Sequence, residues 1–154
     1  MSSDLDELYQ EVLLDHSKRP RNFGEIAEGA VHVHGDNPSC GDEIDLYVRF
    51  GPDQRIEEIK FTGQGCAISR ASASMMTLKL RGQTREEAER LLHSFRNLVT
   101  VDPAGQPDPP RALGDLRLLG GVRRFPQRVK CAMLAWRAFE QALGEGTETT
   151  ASTE

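Results

Sequence analysis

The feature that most constrains this chain is a regular alternation of apolar and polar residues over positions 43–50. The apolar members are Ile44, Leu46, Val48 and Phe50. A period of two predicts a strand with one buried face and one face in water. The turn-forming residues at 51–54 and the apolar positions of 56–61 predict a strand that folds back on it, and alternating valines at 31–34 predict another. We therefore expect a three-stranded antiparallel sheet.

The remainder of the chain has the period of an α-helix. We expect four main helices and a short one over 113–119. The first main helix is expected to end before Pro20, and the second to cover 67–81. The third is expected to begin at a capping box formed by Thr84 and Glu87, and the fourth at Pro126. Strands followed by helices predict an α+β domain with its helices packed on one face of the sheet.

The length of 154 residues suits one domain with a hydrophobic core. We expect this domain to cover residues 1–143. Residues 144–154 are rich in glycine, threonine and glutamate, which predicts a disordered tail.

Composition argues against several classes of function. No stretch approaches the roughly 20 apolar residues that span a bilayer, and the acidic N-terminus lacks a signal-peptide pattern. We therefore expect a cytoplasmic protein without a membrane partner. A net charge of −5 argues against nucleic-acid binding. The local exception is the basic cluster of Arg123, Arg124, Arg128 and Lys130, which is either a solvated helix start or a functional surface.

The chain has three cysteines, Cys40, Cys66 and Cys131, far apart in sequence. An odd number of thiols in the cytoplasm is more typical of metal binding or catalysis than of disulfides. A lone cysteine is commonly a small core residue, but these positions argue otherwise. Cys66 begins a predicted helix, where the helix dipole favours a thiolate. Cys131 lies about 200° round the last helix from Val129, which predicts a position opposite the apolar stripe.

Asp42 is a fourth candidate ligand. In an extended chain, Cys40 and Asp42 would point the same way. Zinc accepts thiolates and a carboxylate, and four protein ligands would leave no open position for water, which argues against a hydrolase. Because there is no Cys-x-x-Cys pair, a metal site and separate structural cysteines both stay open. His32 and His34 share a strand face and could also bind metal, although exposed strand histidines are the commoner case.

The segments around the cysteines resemble the U-type iron–sulfur cluster assembly proteins, the IscU/SufU family. The matching segments are 37–42 (Asn-Pro-Ser-Cys-Gly-Asp), 63–69 (Gly-Gln-Gly-Cys-Ala-Ile-Ser), 130–131 (Lys-Cys), 13–16 and 20–24. The resemblance covers nearly the whole chain up to residue 143. It implies a small antiparallel sheet with helices packed against it, and the handling of sulfur from a cysteine desulfurase. It also implies that the metal or cluster ligands are Cys40, Asp42, Cys66 and Cys131.

Two departures place the chain nearer the SufU branch of this family. Scaffold-type members have histidine before the last cysteine, whereas this chain has Lys130, whose ammonium has no lone pair for a metal. Residues 123–130 also lack the Leu-Pro-Pro-Val-Lys motif, which puts docking to the dedicated Hsp70-type chaperone in doubt. An extra segment over 102–122 resembles the SufU branch as well.

Resemblance to that branch implies a zinc-dependent sulfurtransferase. Cys40 would accept persulfide sulfur from the desulfurase and pass it to the downstream Fe–S assembly machinery. Arg128 and Lys130 would offset the negative charge of the ligands. Whether such a protein counts as an enzyme stays open. The alternatives are a scaffold that assembles and transfers a transient [2Fe–2S] cluster, and a purely structural zinc-binding module.

Overall fold

The computed structural model describes residues 3–38, 40–100, 111–144 and 149–152 of the chain. In chain order the elements are α1 (Ser3–Lys18), β1 (Val31–Asn37), β2 (Asp42–Phe50), β3 (Ile56–Gln64), α2 (Ala67–Leu80), α3 (Arg85–Thr100), a 3₁₀ segment (Arg111–Arg124), α4 (Pro126–Gly144) and β4 (Thr149–Ser152). The three strands and four main helices expected from the sequence are present. The short helix expected over 113–119 lies within the 3₁₀ segment, which is interrupted at Gly114.

The strands β1, β2 and β3 form an antiparallel sheet in the order β3-β2-β1. Val33 of β1 lies opposite Leu46 of β2, and Leu46 lies opposite Phe61 of β3. Residues directly opposite each other point to the same face, so these three side chains form one buried row. The three-stranded antiparallel sheet expected from the sequence is confirmed.

The fourth strand, β4, lies along the other edge of β1 and runs parallel to it, with Thr149 opposite Val33. The prediction of a disordered tail from residue 144 is therefore corrected for residues 149–152, and the rest of residues 145–154 lies outside the described residues. An edge strand offers unpaired backbone groups to any extended segment, whatever its side chains. Composition alone does not report this kind of pairing.

The core lies between the sheet and the helices α2, α3 and α4. Trp136 is fully buried and stacks on Phe95 with ring centroids 4.6 Å apart. Its indole N–H donates to Oγ of Ser72 at 3.2 Å, and the Ser72 hydroxyl donates to the carbonyl oxygen of Ala132 at 2.7 Å. Because this buried polar chain is fully hydrogen-bonded, it fixes α2 against α4 without an unsatisfied group. These two helices carry Cys66 at the start of one and Cys131 within the other.

Local signals at the helix ends are also observed. The N–H of Thr84 donates to the Glu87 carboxylate at 2.9 Å, and the N–H of Glu87 donates to Oγ1 of Thr84 at 3.1 Å, so the predicted capping box is confirmed. In α1, Nδ1 of the buried His16 lies 2.7 Å from Oγ of Ser74 in α2. Burial lowers the pKa of His16. None of the helices in the described parts of the chain is long and apolar enough to cross a membrane.

Candidate metal centre

The three cysteines and Asp42 meet where separate elements begin. Cys40 lies in the turn between β1 and β2, Asp42 is the first residue of β2, Cys66 directly precedes α2, and Cys131 lies near the start of α4. The ligand atoms of Cys40, Asp42 and Cys131 are all within 4.8 Å of one another. The Sγ atoms of Cys40 and Cys131 are 3.9 Å apart, and Sγ of Cys66 is 3.9 Å from Oδ2 of Asp42. The structure thus groups Cys40, Asp42 and Cys131 closely, and it places the Cys66 thiol beside Asp42 but outside that set of three.

Cys40 approaches this centre from a tight turn. The N–H groups of Cys40 and Gly41 both donate to the carbonyl oxygen of Asn37, at 3.1 and 2.9 Å, and Gly41 has a φ of 74°. A left-handed residue between Cys40 and Asp42 rules out the extended segment expected from the sequence, so that premise was wrong although the two ligand atoms do converge. The turn leaves Cys40 exposed to solvent.

Asp42 is fixed by the start of α2. Its side chain is buried, and its Oδ1 accepts a hydrogen bond from the N–H of Cys66 at 2.9 Å. Cys66 is the N-cap residue of α2 and has no side-chain hydrogen bond that caps the helix. The carboxylate therefore satisfies a free N–H group at the positive end of the helix dipole. With Oδ1 held in this way, Oδ2 is the oxygen directed toward the Cys66 thiol.

Two glycines make room for this arrangement. A Cβ atom at Gly65 would lie 2.5 Å from Oδ1 of Asp42 and 2.6 Å from Oγ of Ser69. A Cβ atom at Gly63 would lie 2.2 Å from the carbonyl oxygen of Glu43, and Gly63 has a φ of 149°. The sequence indicated only a sharp turn before a helix. Neither the space for Asp42 nor the neighbouring Ser69 was predicted, because both depend on β2 lying beside this turn.

Cys131 is buried, which corrects the sequence-based expectation for it. Its angle from the apolar stripe was right, but α4 is packed against β1, β2, α2 and α3, so the opposite side of the helix is also inside the protein. Burial raises the pKa of the Cys131 thiol far above its ordinary value, and the adjacent Asp42 and Cys66 raise it further. Metal binding at this thiol must therefore release a proton.

The donor set fits a soft metal ion. Three sulfurs and one carboxylate oxygen suit zinc or an Fe–S cluster, whereas magnesium and calcium prefer oxygen ligands alone. Two Zn–S bonds of about 2.3 Å at a tetrahedral angle place their sulfurs about 3.8 Å apart. The 3.9 Å between Cys40 and Cys131 agrees with that spacing.

The two cations expected to support this centre, Arg128 and Lys130, lie in the first turns of α4, three residues and one residue before Cys131. Arg128 is exposed, with its guanidinium carbon 5.7 Å from the centroid of the Phe125 ring, and Lys130 is half-buried. Among the described residues, neither forms a hydrogen bond or ion pair with Asp42 or a cysteine.

The strand histidines lie elsewhere. His32 and His34 contact Oδ1 of Asp45 at 2.8 and 3.1 Å. Burial alone would raise the pKa of Asp45, but the hydrogen bonds from both histidines outweigh it and lower this pKa. Because Asp45 is three residues from Asp42 in β2, it points to the opposite face of the sheet. The histidines therefore do not contribute to the cysteine centre.

The family is shown by sequence and by fold. Residues 8–151 match the family described as the NifU-like N-terminal domain. The chain belongs to this family. It is 46% identical over 142 residues to the iron–sulfur cluster assembly scaffold protein IscU of Streptococcus pyogenes serotype M1, across 92% of this chain and 86% of that protein.

Two further relatives agree with this assignment. Over 144 residues the chain is 40% identical to the zinc-dependent sulfurtransferase SufU of Bacillus subtilis (strain 168), across 94% of this chain and 95% of that protein. A solved structure from Fervidobacterium islandicum AW-1, of a candidate scaffold protein of the SUF system, matches with a TM-score of 0.79 and 36% identity, across 89% of this chain and 97% of that one. These matches confirm the resemblance and the α+β fold inferred from the sequence.

Proposed function

We propose that this protein is a zinc-dependent sulfurtransferase of iron–sulfur cluster assembly. It accepts persulfide sulfur from a cysteine desulfurase and passes it to the downstream assembly machinery. The observation that carries the proposal is an exposed thiol, Cys40, 3.9 Å from the buried thiol of Cys131 in a group that also includes Asp42. The high coverage of the relative named a zinc-dependent sulfurtransferase supports it.

The four ligands have unequal freedom to move. Zinc bound by Cys40, Asp42, Cys66 and Cys131 would keep the thiolates deprotonated at neutral pH and moderate their reactivity. Asp42 is held by a backbone N–H group, and Cys131 is enclosed in the core. Cys40 lies in an exposed turn outside any helix or strand. Cys66 is also exposed, but its N–H is bonded to the buried Asp42, so Cys40 would be the thiol that moves with the least rearrangement of the site.

Cys40 would be the sulfur acceptor. Its thiolate attacks the outer sulfur of the desulfurase persulfide, as in thiol–disulfide exchange. A sulfur–sulfur bond forms at Cys40 while the persulfide bond of the partner breaks, and the partner cysteine leaves as a thiolate that takes up a proton. No net oxidation or reduction occurs. Arg128 and Lys130, near the start of α4, offset the negative charge of three thiolates and a carboxylate.

A scaffold for a transient [2Fe–2S] cluster is the second candidate. Its support is the relative named as an IscU scaffold and the fact that Asp42 already supplies a fourth donor. The residue before Cys131 argues against it, because the ammonium of Lys130 has no lone pair for iron. A purely structural zinc is disfavoured because an exposed ligand in a turn adds little to the rigidity of the fold.

The test is sulfur transfer to single-cysteine variants. Zinc-loaded protein is mixed with a cysteine desulfurase and cysteine, and the added sulfur on each thiol is located by mass spectrometry. We expect Cys40→Ser to lose the persulfide and the stimulation of desulfurase turnover. Undiminished sulfur acceptance by this variant would overturn the role of Cys40. Cys66→Ser is the matched control, since it removes another exposed thiol and is expected to retain some persulfide on Cys40.

Anaerobic reconstitution with iron and sulfide separates the two candidate functions. A cluster that is stable in absorbance and passes to an apo-acceptor at a rate matching desulfurase turnover would favour the scaffold. We expect instead that zinc-loaded protein stimulates the desulfurase and forms little transferable cluster.

A further inference from the structure

Two exposed aromatic residues contact arginines on the helix that follows Cys66 and on the helix that contains Cys131. Among the described residues, the large hydrophobic side chains that are most exposed are Leu14, Phe23, Leu78 and Phe125. Single exposed apolar residues are ordinary on protein surfaces and need no explanation. The two aromatic residues differ from the two leucines because each is held by an arginine that lies one helical turn from a cysteine ligand.

Phe23 is held on the α2 side of the centre. Its ring packs edge-on against Phe61, with centroids 5.3 Å apart, and lies 5.7 Å from the guanidinium carbon of Arg70. Arg70 is four residues after Cys66 on the same helix face and donates to the carbonyl oxygens of Ser17 and Gly63. Phe23 is thus an exposed apolar group held by Phe61 and by Arg70, whose guanidinium also reaches the carbonyl oxygen of Gly63 in the loop before Cys66.

Phe125 has the corresponding position on the α4 side. Its carbonyl oxygen accepts the N–H groups of Arg128 and Val129, so it begins the helix that carries Cys131. The guanidinium carbon of Arg128 lies 5.7 Å from the ring centroid, and Cys131 follows three residues later on the same face. The ring is about half exposed. The apolar group is therefore presented next to a cation.

The cations on this side have no acidic partner. Among the described residues, no carboxylate forms an ion pair with Arg124, Arg128 or Lys130, and the same holds for other cations such as Arg81 and Arg137. In a protein of net charge −5, residues 116–139 are a local exception, because they contain no aspartate or glutamate and include these three cations. Unpaired charges at a rim steer partners of the opposite charge.

We propose that Phe23 and Phe125, together with the unpaired Arg124 and Arg128, form a docking rim for the protein that delivers sulfur. The partner would place apolar side chains against the two rings and acidic side chains against the arginines, around its own reactive cysteine. Aromatic anchors with arginine are the residue types that dominate binding energy at protein interfaces. This inference rests on the proposed function, because it takes the sulfur donor as the occupant.

Charge selects this occupant over a second copy of the chain. A symmetric dimer through the rim would bring two sets of Arg124 and Arg128 toward each other, and like charges across an interface oppose association. A partner with acidic groups meets the rim without that repulsion.

The test compares variants that remove the rim with variants that remove exposed leucines elsewhere. Phe23→Ala and Phe125→Ala are measured against Leu14→Ala and Leu78→Ala, since all four residues are 46–54% exposed. Leu78 is 12 residues after Cys66, about 18 Å along the helix axis. The readouts are zinc content, the dissociation constant for a cysteine desulfurase, and the half-saturating concentration and maximal rate of desulfurase stimulation.

We expect each aromatic variant to keep its zinc and maximal rate and to weaken desulfurase binding about tenfold, the scale of a single interface anchor. Both leucine variants are expected to stay within about twofold. Unchanged binding in Phe23→Ala and Phe125→Ala would overturn the docking rim, as would equal losses in the leucine variants. Self-association of the wild type that Phe125→Ala abolishes would assign the surface to a second copy and overturn it too.

Arg124→Glu tests the charge component separately. We expect weaker binding and a smaller dependence of affinity on salt than in the wild type, since one attraction becomes a repulsion. An unchanged salt dependence would overturn the acidic character of the partner.

Direct measurement of binding between the wild type and the desulfurase also separates the docking proposal from the sulfurtransferase proposal. If the wild type binds the desulfurase but accepts no sulfur, the sulfurtransferase proposal fails while the rim variants still decide the docking surface. If the wild type does not bind, the docking proposal fails.

Discussion

Replacing Gly65 by alanine tests the geometry of the metal centre without removing a ligand. Gly65 is not among the glycines with positive φ, so alanine can adopt its backbone conformation. The new Cβ would nevertheless lie 2.5 Å from Oδ1 of Asp42 and 2.6 Å from Oγ of Ser69. Real Cβ contacts are not that short, so Asp42 or the loop must move.

The expected cost follows from the hydrogen bond that this movement breaks. Rotation of Asp42 away from the new methyl group separates its Oδ1 from the N–H of Cys66, which it accepts at 2.9 Å. A hydrogen bond to a charged group contributes about 1.5–3 kcal/mol. If that free energy normally orients the carboxylate for the metal, Gly65→Ala lowers zinc affinity about tenfold to a hundredfold.

Two measurements check this expectation. Competition with a chelator gives the zinc affinity, and urea unfolding of the metal-free protein gives the stability, which we expect to fall by about 1–3 kcal/mol through overpacking. Gly121→Ala is the matched control, because a Cβ atom there meets nothing within 4 Å and its φ is not positive. Wild-type zinc affinity in Gly65→Ala, or an equal loss in Gly121→Ala, would refute the reasoning.

Three further predictions concern single residues. The Asp42→Asn variant should still accept the hydrogen bond from the helix N–H and should unfold near the wild-type urea midpoint. Because an amide is a poor zinc ligand, chelator competition should show at least about tenfold weaker zinc binding. A zinc affinity equal to that of the wild type would contradict this. Because burial lowers the pKa of His16, the unfolded chain takes up its proton first, so stability is full above about pH 6.5 and falls as pH drops toward the folded pKa. Urea unfolding of His16→Asn should lose less stability than the wild type between about pH 7.5 and 5.5, with a difference of at most about 1.4 kcal/mol per pH unit; parallel curves would count against it. Thr84→Ala should lower the free energy of unfolding by about 1 kcal/mol in the same assay and leave zinc binding unchanged. Thr84→Ser should restore most of that stability. An unchanged stability in Thr84→Ala would show that the hydroxyl contributes nothing.

Cys131 shows why some of the site could not be predicted from the sequence. The spacing of apolar residues correctly predicted the position of Cys131 around the axis of α4, opposite the apolar stripe. That position implies an exposed side chain only when the opposite side of the helix faces water. Here α4 is enclosed by the sheet and two other helices, so both sides are inside. A single sequence shows the apolar period of a helix or strand, but it does not show how many neighbouring elements pack against that helix or strand.

Leu78 is the opposite case. It is an apolar residue within α2, yet it is 52% exposed, and it lines a surface pocket together with His16 of α1 and Leu113 of the 3₁₀ segment. The buried chain from Trp136 through Ser72 to Ala132 was equally beyond local reasoning. It joins residues 60 and 64 positions apart, and its energy depends on the helices that bring them together.

The sequence by itself determined the three antiparallel strands, the four main helices and the capping box at Thr84, and it predicted four candidate ligands. These follow from local periodicity, from turn and capping chemistry, and from the residue types that soft metals accept. Only the tertiary structure decided that Asp42 is held by the N–H of Cys66, that Gly65 leaves space for it, that Cys131 is buried and Cys40 exposed, and that β4 pairs with β1. Each of these depends on contacts between elements distant in the chain, and such contacts exist only once the sheet and helices have packed.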